Sequence, residues 1–224
     1  MLKAVIMDFD GVIIDTEVVW YNIYKDWFKR NKNYPLSIQE FLICVGSQEE
    51  ELFIELERKQ KIVVDRKRFK EDVHGTFIEQ SNLLPPKEGV VQFIQEVKRK
   101  GLKLALATSA TRKKPVSHLT RLGLMEYFDT LVTAEDVERI KPFPDLFEEA
   151  AGRLAVSPPE VLIVEDSLNG MKAGMRAHMK VLVVPNEVTK LSDFNGCYRQ
   201  VQSLREVSVA RIIEELEEEA NAAG

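Results

Sequence analysis

A short, uninterrupted apolar run near the start of the chain most constrains the fold. Residues 4–7 are apolar and lead directly into two acidic residues, Asp8 and Asp10, and then Gly11. In a chain whose later segments alternate between strand and helix patterns, such a run predicts a strand buried on both faces of a parallel sheet. Carboxylates at the carboxyl end of that strand lie where open α/β sheets bind ligands. The alternative is a simple turn, in which Gly11 only supplies the backbone conformation.

Short apolar runs recur in the second half of the chain and alternate with amphipathic helical patterns. The further predicted strands are residues 104–107, 128–132, 161–164 and 181–184. Helices are predicted at residues 90–100, 115–122, 146–154 and 167–177, and from Ser208 onwards. Strands that alternate with helices in this way predict an α/β fold with a doubly wound, mostly parallel sheet.

Residues 16–84 interrupt this alternation because their apolar spacing is helical throughout. In the first helix the apolar and aromatic residues recur at i, i+3, i+4, i+7 and i+8: Trp20, Ile23, Tyr24, Trp27 and Phe28. This spacing places them on one helix face. Residues 37–40 have the sequence of a capping box, which opens a second helix. We therefore predict an inserted all-helical domain at 16–84 and a core domain formed by 1–15 and 85–224.

Composition and charge exclude several classes of function. The 224 residues are 45% hydrophobic, which is enough for a sizeable core, and the net charge of −5 argues against nucleic-acid binding by bulk positive charge. No apolar run reaches the length of a membrane span, and Cys44 and Cys197 are not in metal-ligand spacing. No G-x-G-x-x-G follows the first strand, which excludes a dinucleotide-binding enzyme. We expect a cytoplasmic protein, by default a monomer, with neither nucleic-acid nor membrane partners.

Polar residues follow three of the predicted strands: Asp8 and Asp10, Thr108 and Ser109, and Glu165 and Asp166. Because the ends of parallel strands meet at one edge of a sheet, these side chains are expected to converge. Carboxylates in one crevice repel one another and raise their pKa values unless a cation shares the site, and oxygen ligands suit Mg²⁺. Lys141 adds a positive charge that could bind a phosphoryl oxygen, and Thr108 adds a hydroxyl donor.

These motifs resemble those of the haloacid dehalogenase superfamily, in its phosphatase and phosphomutase branch. Residues 8–16, which read DFDGVIIDT, resemble the first motif, and Thr108 and Lys141 correspond to the second and third. Residues 165–167 correspond to the fourth. The helical insertion resembles the C1-type cap of the β-phosphoglucomutase-like phosphatases. The resemblance covers residues 3–185, with the four motifs in order at predicted strand ends.

The resemblance implies a Mg²⁺-dependent phosphatase that acts on a small phosphorylated metabolite, such as a sugar phosphate, in two steps. Asp8 would attack the phosphorus and form an aspartyl-phosphate. Asp10 would protonate the leaving alcohol and then take a proton from the hydrolytic water. Mg²⁺ would be held by the Asp8 carboxylate, the Asp10 backbone carbonyl and Asp166, with Glu165 ligating directly or through water.

The substrate contacts are predicted from both the sheet edge and the insertion. The resemblance implies that Thr108, Ser109 and Lys141 bind oxygens of the transferred phosphoryl group. We further expect three residues of the insertion to face the substrate pocket: Trp20, Ser47 and Gln48.

Two alternatives to a phosphatase remain at this stage. A phosphomutase of the same family needs a basic cap residue for a second phosphate, but here residues 49–51 are all glutamate and Trp20 replaces a cap histidine. Both departures favour a phosphatase. A receiver-like phospho-acceptor is the non-enzymatic alternative. The helical insertion and Asp10 disfavour it, because a receiver should keep its phosphate.

A departure from the family pattern occurs at His178. The sequence reads Ala-His-Met where members of the family commonly have Ala-Gly-Met, after the helix at 167–177. A glycine there closes a helix in the left-handed conformation. Histidine is among the residues that tolerate a positive φ, so we expect a small loss of stability and an unchanged fold.

Overall fold

A computed structural model describes residues 1–222 and contains a parallel sheet covered by helices on both faces. Its strands are β1 (Ala4–Met7), β2 (Lys103–Ala107), β3 (Thr130–Val132), β4 (Val161–Glu165), β5 (Lys180–Val183) and β6 (Arg199–Gln200). In the described part of the chain they form one sheet of order β3-β2-β1-β4-β5-β6, in which every neighbouring pair is parallel. The predicted fold class is therefore confirmed. The last two residues of the predicted core domain lie outside the described residues.

The helices occur in two groups along the chain. Within the insertion they are α1 (Thr16–Lys32), α2 (Ile38–Phe41), α3 (Glu49–Gln60) and α4 (Arg66–Ser81). Those that follow are α5 (Val90–Arg99), α6 (Lys113–Arg121), α7 (Asp145–Leu154), α8 (Leu168–Arg176) and α9 (Val209–Ala222). The second group alternates with the strands, as the sequence predicts.

β1 is a continuous apolar run because both faces of the sheet are buried around it. In β1, Val5 and Met7 pack into a cluster that includes α5 and α9, whereas Ala4 and Ile6 pack into a cluster that includes α7 and α8. Successive side chains of a strand point to opposite faces, so each face of β1 needs its own apolar partners. This double coverage explains why no polar residue interrupts the run.

The order of the strands fixes where the site lies. From β1 the chain adds β2 and then β3 on one side of the sheet, and β4, β5 and β6 follow on the other side. The order in which strands are added therefore reverses between β1 and β4. Met7 pairs with Leu106 of β2 and Val164 of β4. The residues that follow these three strands therefore emerge side by side at a topological switch point, where α/β sheets bind their ligands.

The insertion has a hydrophobic cluster built largely from its aromatic residues. Phe69 of α4 lies edge-on to Tyr24 and Trp27 of α1, with ring centroids 4.8 and 4.7 Å apart. The two ends of the insertion are held close together, since the Lys87 backbone N–H donates to the carbonyl of Ile13 at 2.8 Å. A separate cluster and adjacent ends are what a cap domain requires, and the boundaries at 16 and 84 stay a prediction.

Two features differ from the sequence prediction. β6 consists of Arg199 and Gln200 only, and it has no apolar run because it is a short edge strand. β3 begins at Thr130 rather than at residue 128. Within residues 1–222, no helix combines the length and the hydropathy that crossing a membrane requires.

The end of α8 has the backbone expected at His178. Its φ is 57°, its N–H donates to the carbonyl of Met175 at 3.0 Å, and the N–H of Met179 donates to Gly174 at 3.1 Å. This pair of hydrogen bonds is a Schellman motif, which favours glycine at the position of His178. The side chain of His178 is exposed.

We expect His178→Gly to leave the free energy of unfolding unchanged or to raise it by up to about 1 kcal/mol. A left-handed residue with a Cβ is disfavoured by about 1–2 kcal/mol, and the greater freedom of glycine in the unfolded chain offsets part of that gain. Thermal unfolding measures the effect, and a clear fall in melting temperature would refute the explanation. His74→Gly, in the interior of α4, is the matched control and should lower stability by about 0.5 kcal/mol.

Candidate active site

Three acidic side chains converge at the ends of β1 and β4. Asp8, Glu165 and Asp166 are 5%, 0% and 1% exposed, and each offers a carboxylate oxygen within 4.8 Å of the others. Sheet register produces this cluster, because β1 and β4 are paired neighbours. Buried carboxylates at this spacing are unfavourable unless positive charge shares the site.

Lys141 supplies part of that positive charge. Its ammonium is 1% exposed and donates to Asp8, to Glu165 Oε1 at 2.6 Å and to the carbonyl of Ala107 at 3.0 Å. Burial alone would lower the pKa of Lys141, but the carboxylates of Asp8 and Glu165 outweigh it and raise the pKa above its ordinary value. The ammonium is therefore a fixed cation beneath the ends of β1, β2 and β4.

Glu165 is engaged on both carboxylate oxygens. Oε1 accepts the Lys141 hydrogen bond, and Oε2 accepts from the backbone N–H of Asp166 and Ser167 at 3.0 and 3.1 Å and from Ser167 Oγ at 3.0 Å. The carboxylate thereby orders the turn that follows β4. Few of its lone pairs remain free for another ligand.

The other two acids fit a small divalent cation. Burial raises the pKa of Asp8 to about 7 against the opposing effect of Lys141, and burial together with Glu165 raises the pKa of Asp166 well above its ordinary value. Asp166 Oδ2 accepts one hydrogen bond, from Asn186 Nδ2 at 2.8 Å. A buried, all-oxygen donor set whose charge is only partly balanced matches the preference of Mg²⁺.

Gly11 allows the first turn to approach this cluster. Its φ is +76°, and a Cβ at this position would lie 2.0 Å from Asp166 Oδ2. Only glycine combines this backbone with so close a contact. The glycine of the first motif is therefore required by packing against the fourth.

Asp10 lies apart from the cluster of three acids. Its Oδ1 accepts a hydrogen bond from Thr16 Oγ1 at 2.5 Å and forms an ion pair with Lys114 Nζ at 2.5 Å. The Lys114 ammonium also lies 4.7 Å from the ring centroid of Phe77 in α4. Asp10 is thus held at the junction of the first turn, α6 and the insertion.

A cavity of about 630 Å³ lies between the strand ends and the insertion. Seven of the residues predicted for the site line it: Asp8, Asp10, Trp20, Ser47, Gln48, Thr108 and Ser109. Lys141, Glu165 and Asp166 are buried and do not line the cavity. Lys141 contacts Asp8, and the two acids offer oxygens within 4.8 Å of it. The structure therefore brings the predicted residues together at one place, with their roles still a prediction.

The hydroxyls after β2 have different partners. Thr108 is 1% exposed, its Oγ1 accepts from the N–H of Ala110 at 3.1 Å, and within residues 1–222 its hydroxyl donates no hydrogen bond. Ser109 Oγ donates to the carbonyl of Gly46 in the insertion at 3.0 Å. The turn after β2 thus contacts both the cavity and the insertion.

The sequence interpretation missed Glu17. Its side chain is 7% exposed, lines the cavity and makes no hydrogen bond to residues 1–222. Burial and the nearby charge of Asp10 raise the pKa of Glu17 to about 8, with Lys114 opposing the shift. In the sequence, Glu17 resembles an ordinary acidic residue in the first turn of a helix, where its negative charge interacts favourably with the helix dipole. Lys114 and Asn186 were also missed, because nothing in their neighbouring residues indicates their partners.

The acidic stretch at 49–51 is less negative than its sequence indicates. Arg66 forms a bidentate ion pair with Glu50, with nitrogen–oxygen distances of 2.8 and 3.2 Å. Lys70 and His74 of α4 line the same cavity. The charge at this end of the cavity is therefore mixed.

Comparison with known proteins places the chain in a family. It is 34% identical to YhcW of Bacillus subtilis, over 96% of this chain and 98% of that protein. It is also 34% identical to the phosphorylated carbohydrates phosphatase of Thermotoga maritima, over 79% of this chain and 82% of that one. The crystal structure of CbbY from Rhodobacter sphaeroides in complex with xylulose-(1,5)bisphosphate superposes with a TM-score of 0.78 at 26% identity, covering 94% and 98% of the two chains.

The family assignment rests on most of the chain. Residues 5–184 match the haloacid dehalogenase-like hydrolase family, a range that contains the four motifs and the whole insertion. The resemblance stated from the sequence and the prediction of an enzyme are both confirmed. The chain belongs to the haloacid dehalogenase-like hydrolases.

Proposed function

We propose that the protein is a Mg²⁺-dependent phosphatase that hydrolyses a small phosphorylated metabolite through an aspartyl-phosphate. The observation that carries the proposal is the position of Asp8. Its carboxylate lines the cavity while contacting the Lys141 ammonium and lying within 4.8 Å of oxygens of Glu165 and Asp166. A nucleophile that opens onto a substrate cavity and is backed by fixed charge suits attack on a phosphate ester.

In the proposed first step an Asp8 oxygen forms a bond to phosphorus while the bond from phosphorus to the leaving oxygen breaks. Asp10 gives its proton to that oxygen, so that an alcohol leaves. In the second step water attacks the phosphorus, Asp10 takes the water proton, and the bond to Asp8 breaks to release inorganic phosphate. Thr16 and Lys114 hold the Asp10 carboxylate at the mouth of the first turn.

The transferred group would be bound by the turn after β2, while the Lys141 ammonium supplies positive charge from beneath Asp8. Thr108 lines the cavity and its hydroxyl donates no hydrogen bond in the described part of the chain, and Ser109 is the next residue. Fixed donors aimed at phosphoryl oxygens stabilise the charge that develops in the transition state.

The Asp8 carboxylate, the Asp10 backbone carbonyl and Asp166 would hold Mg²⁺. Glu165 would contact the ion through a water molecule, because its oxygens already accept four hydrogen bonds. When bound, the cation supplies positive charge that lets an anionic nucleophile approach an anionic phosphate.

A sugar phosphate is the substrate class that we favour. Glu17 offers a carboxyl group that lines the cavity and makes no hydrogen bond within residues 1–222, so its oxygens are available to a ligand. A substrate hydroxyl would hydrogen-bond to it. Two similar proteins point the same way, since one is named for phosphorylated carbohydrates and another binds xylulose-(1,5)bisphosphate.

The test is phosphate release from p-nitrophenyl phosphate and from a panel of sugar, polyol and amino-acid phosphates. We expect turnover with Mg²⁺, none with EDTA, and the highest kcat/KM for a sugar phosphate. Glu17→Met should reduce that preference about tenfold, with little change for p-nitrophenyl phosphate, since one hydrogen bond to the substrate is lost. Well-folded protein that releases phosphate from no substrate would overturn the proposal, as would stable phosphorylation without turnover.

A further inference from the structure

The loop between α2 and α3 of the insertion is joined to the sheet edge by two hydrogen bonds. Ser109 Oγ donates to the carbonyl of Gly46 at 3.0 Å, and Asn169 Nδ2 donates to the carbonyl of Val45 at 2.9 Å. Ser109 follows β2, whereas Asn169 lies in the first turn of α8. Two adjacent carbonyls of the insertion are thus held from two separate elements.

The same loop packs tightly against the turn after β4. Gly46 has a φ of +75°, and a Cβ there would lie 2.4 Å from Ser167 Oγ. That hydroxyl is fixed, because it donates to Glu165 at 3.0 Å and accepts from the N–H of Gly170 at 3.0 Å. The loop therefore rests on the segment that also carries the acidic residues of the site.

We propose that Asn169 is a positioning residue that keeps the insertion closed over the cavity. Asn169 does not line the cavity, and within residues 1–222 its side chain makes one hydrogen bond, the one to Val45. Ser109 faces the cavity and would be drawn away by a phosphoryl group, whereas Asn169 can hold the loop throughout. The closure itself is independent of the proposed phosphatase activity, and only its effect on catalysis rests on that function.

Closure by Asn169 places the side chains that follow Gly46. Ser47 and Gln48 are the next two residues, and both line the cavity. Holding the backbone at Val45 and Gly46 therefore fixes the part of the insertion that would meet the substrate. Loss of the hydrogen bond should raise KM more than it lowers kcat, because it acts through closure and leaves the reacting groups in place.

Cys44 provides a direct measure of closure. It immediately precedes Val45, lines the cavity and is 9% exposed. The only other cysteine, Cys197, is half-buried and packs against the hydrophobic cluster that includes α7 and α8. A Cys197→Ser background makes alkylation of Cys44 by iodoacetamide a measure of opening, and a Cys44→Ser background makes the rate at Cys197 a control for changes elsewhere in the protein.

Asn169→Asp is the informative variant because it keeps the shape of the side chain and removes the donor, and the negative charge that it adds can be controlled for. We expect Cys44 to be alkylated about five- to tenfold faster, the effect of one lost hydrogen bond, with the rate at Cys197 unchanged. Asn22→Asp, on the exposed face of α1, makes the same change of charge and should leave both rates unaltered. Gly46→Ala should also accelerate alkylation of Cys44, since its Cβ cannot fit against Ser167.

The possible outcomes separate the two proposals. An unchanged Cys44 rate in Asn169→Asp overturns the positioning role, as does an equal acceleration at Cys44 and Cys197. Faster labelling of Cys44 alone supports the role even if no phosphatase activity is found. If Asn169→Asp raises KM for a hydrolysed phosphate ester more than it lowers kcat, the positioning role of Asn169 also affects catalysis. A fall in kcat at constant KM would contradict that effect on catalysis.

Discussion

Replacing Asp8 with asparagine is expected to lower kcat for phosphate-ester hydrolysis by about 10⁴-fold or more, because it removes the atom that bonds to phosphorus. Asparagine has the same shape and keeps one acceptor oxygen toward Lys141, so the fold should persist. Phosphate release and circular dichroism together measure both effects. Asp26→Asn, on the exposed face of α1, is the matched control and should keep full activity.

The same variant tests the intermediate. Rapid acid quenching of the wild-type enzyme with a radiolabelled phosphate ester should trap label on the protein, and Asp8→Asn should trap none. Activity that survives in Asp8→Asn would show that the nucleophile lies elsewhere. Full loss of activity together with persistent label would show that another residue accepts the phosphoryl group.

Replacing Lys141 with methionine is expected to abolish activity and to lower the free energy of unfolding of the metal-free protein by about 3 kcal/mol. Two buried carboxylates, Asp8 and Glu165, would lose their shared cation. Urea unfolding measures the change. Lys190→Met, which removes an exposed lysine paired with Glu187, should change stability by less than about 0.5 kcal/mol.

The loss of stability in Lys141→Met should increase as the pH rises. In the folded wild type the pKa of Asp8 is raised from 3.8 to about 7, and the Lys141 charge acts to lower it. Without Lys141 the folded pKa rises further above the unfolded value. A raised pKa contributes stability below the unfolded pKa that is lost as the pH rises through the folded one. Up to about pH 7 Asp8 is protonated in both folded proteins, so the difference in stability between Lys141→Met and wild type should widen as the pH rises above about 7. A difference that narrows there would contradict the assignment.

The sheet and the floor of the site could be predicted because they depend on local patterns. β1, β2 and β4 are apolar runs followed by polar residues. Parallel pairing brings the ends of these strands to one edge of the sheet, independently of the conformation of the loops. The position of Lys141 also followed from the motif order. These features need only the identity of each segment, without knowledge of how distant segments pack.

The walls of the cavity could not be predicted in this way. The Lys114 contact with Asp10 joins α6 to the first turn across more than a hundred residues, and Glu17 is buried only because the insertion folds back over it. Arg66 partly neutralises residues 49–51 from a neighbouring helix. Each contact depends on where helices pack, which apolar spacing alone leaves open.

The central place of β1 has a consequence for how the chain is made. Its four residues are fully buried, and their pairing partners lie far along the chain. Ala4 pairs with Lys103 on one side and with Val161 on the other. At ordinary rates of translation a ribosome needs on the order of 10 to 30 s to reach the second partner. Until then one of the most apolar segments of the protein has an unpaired strand edge. Chaperones that shield nascent chains should therefore associate with this protein early in synthesis and release it only after β4 has left the ribosome.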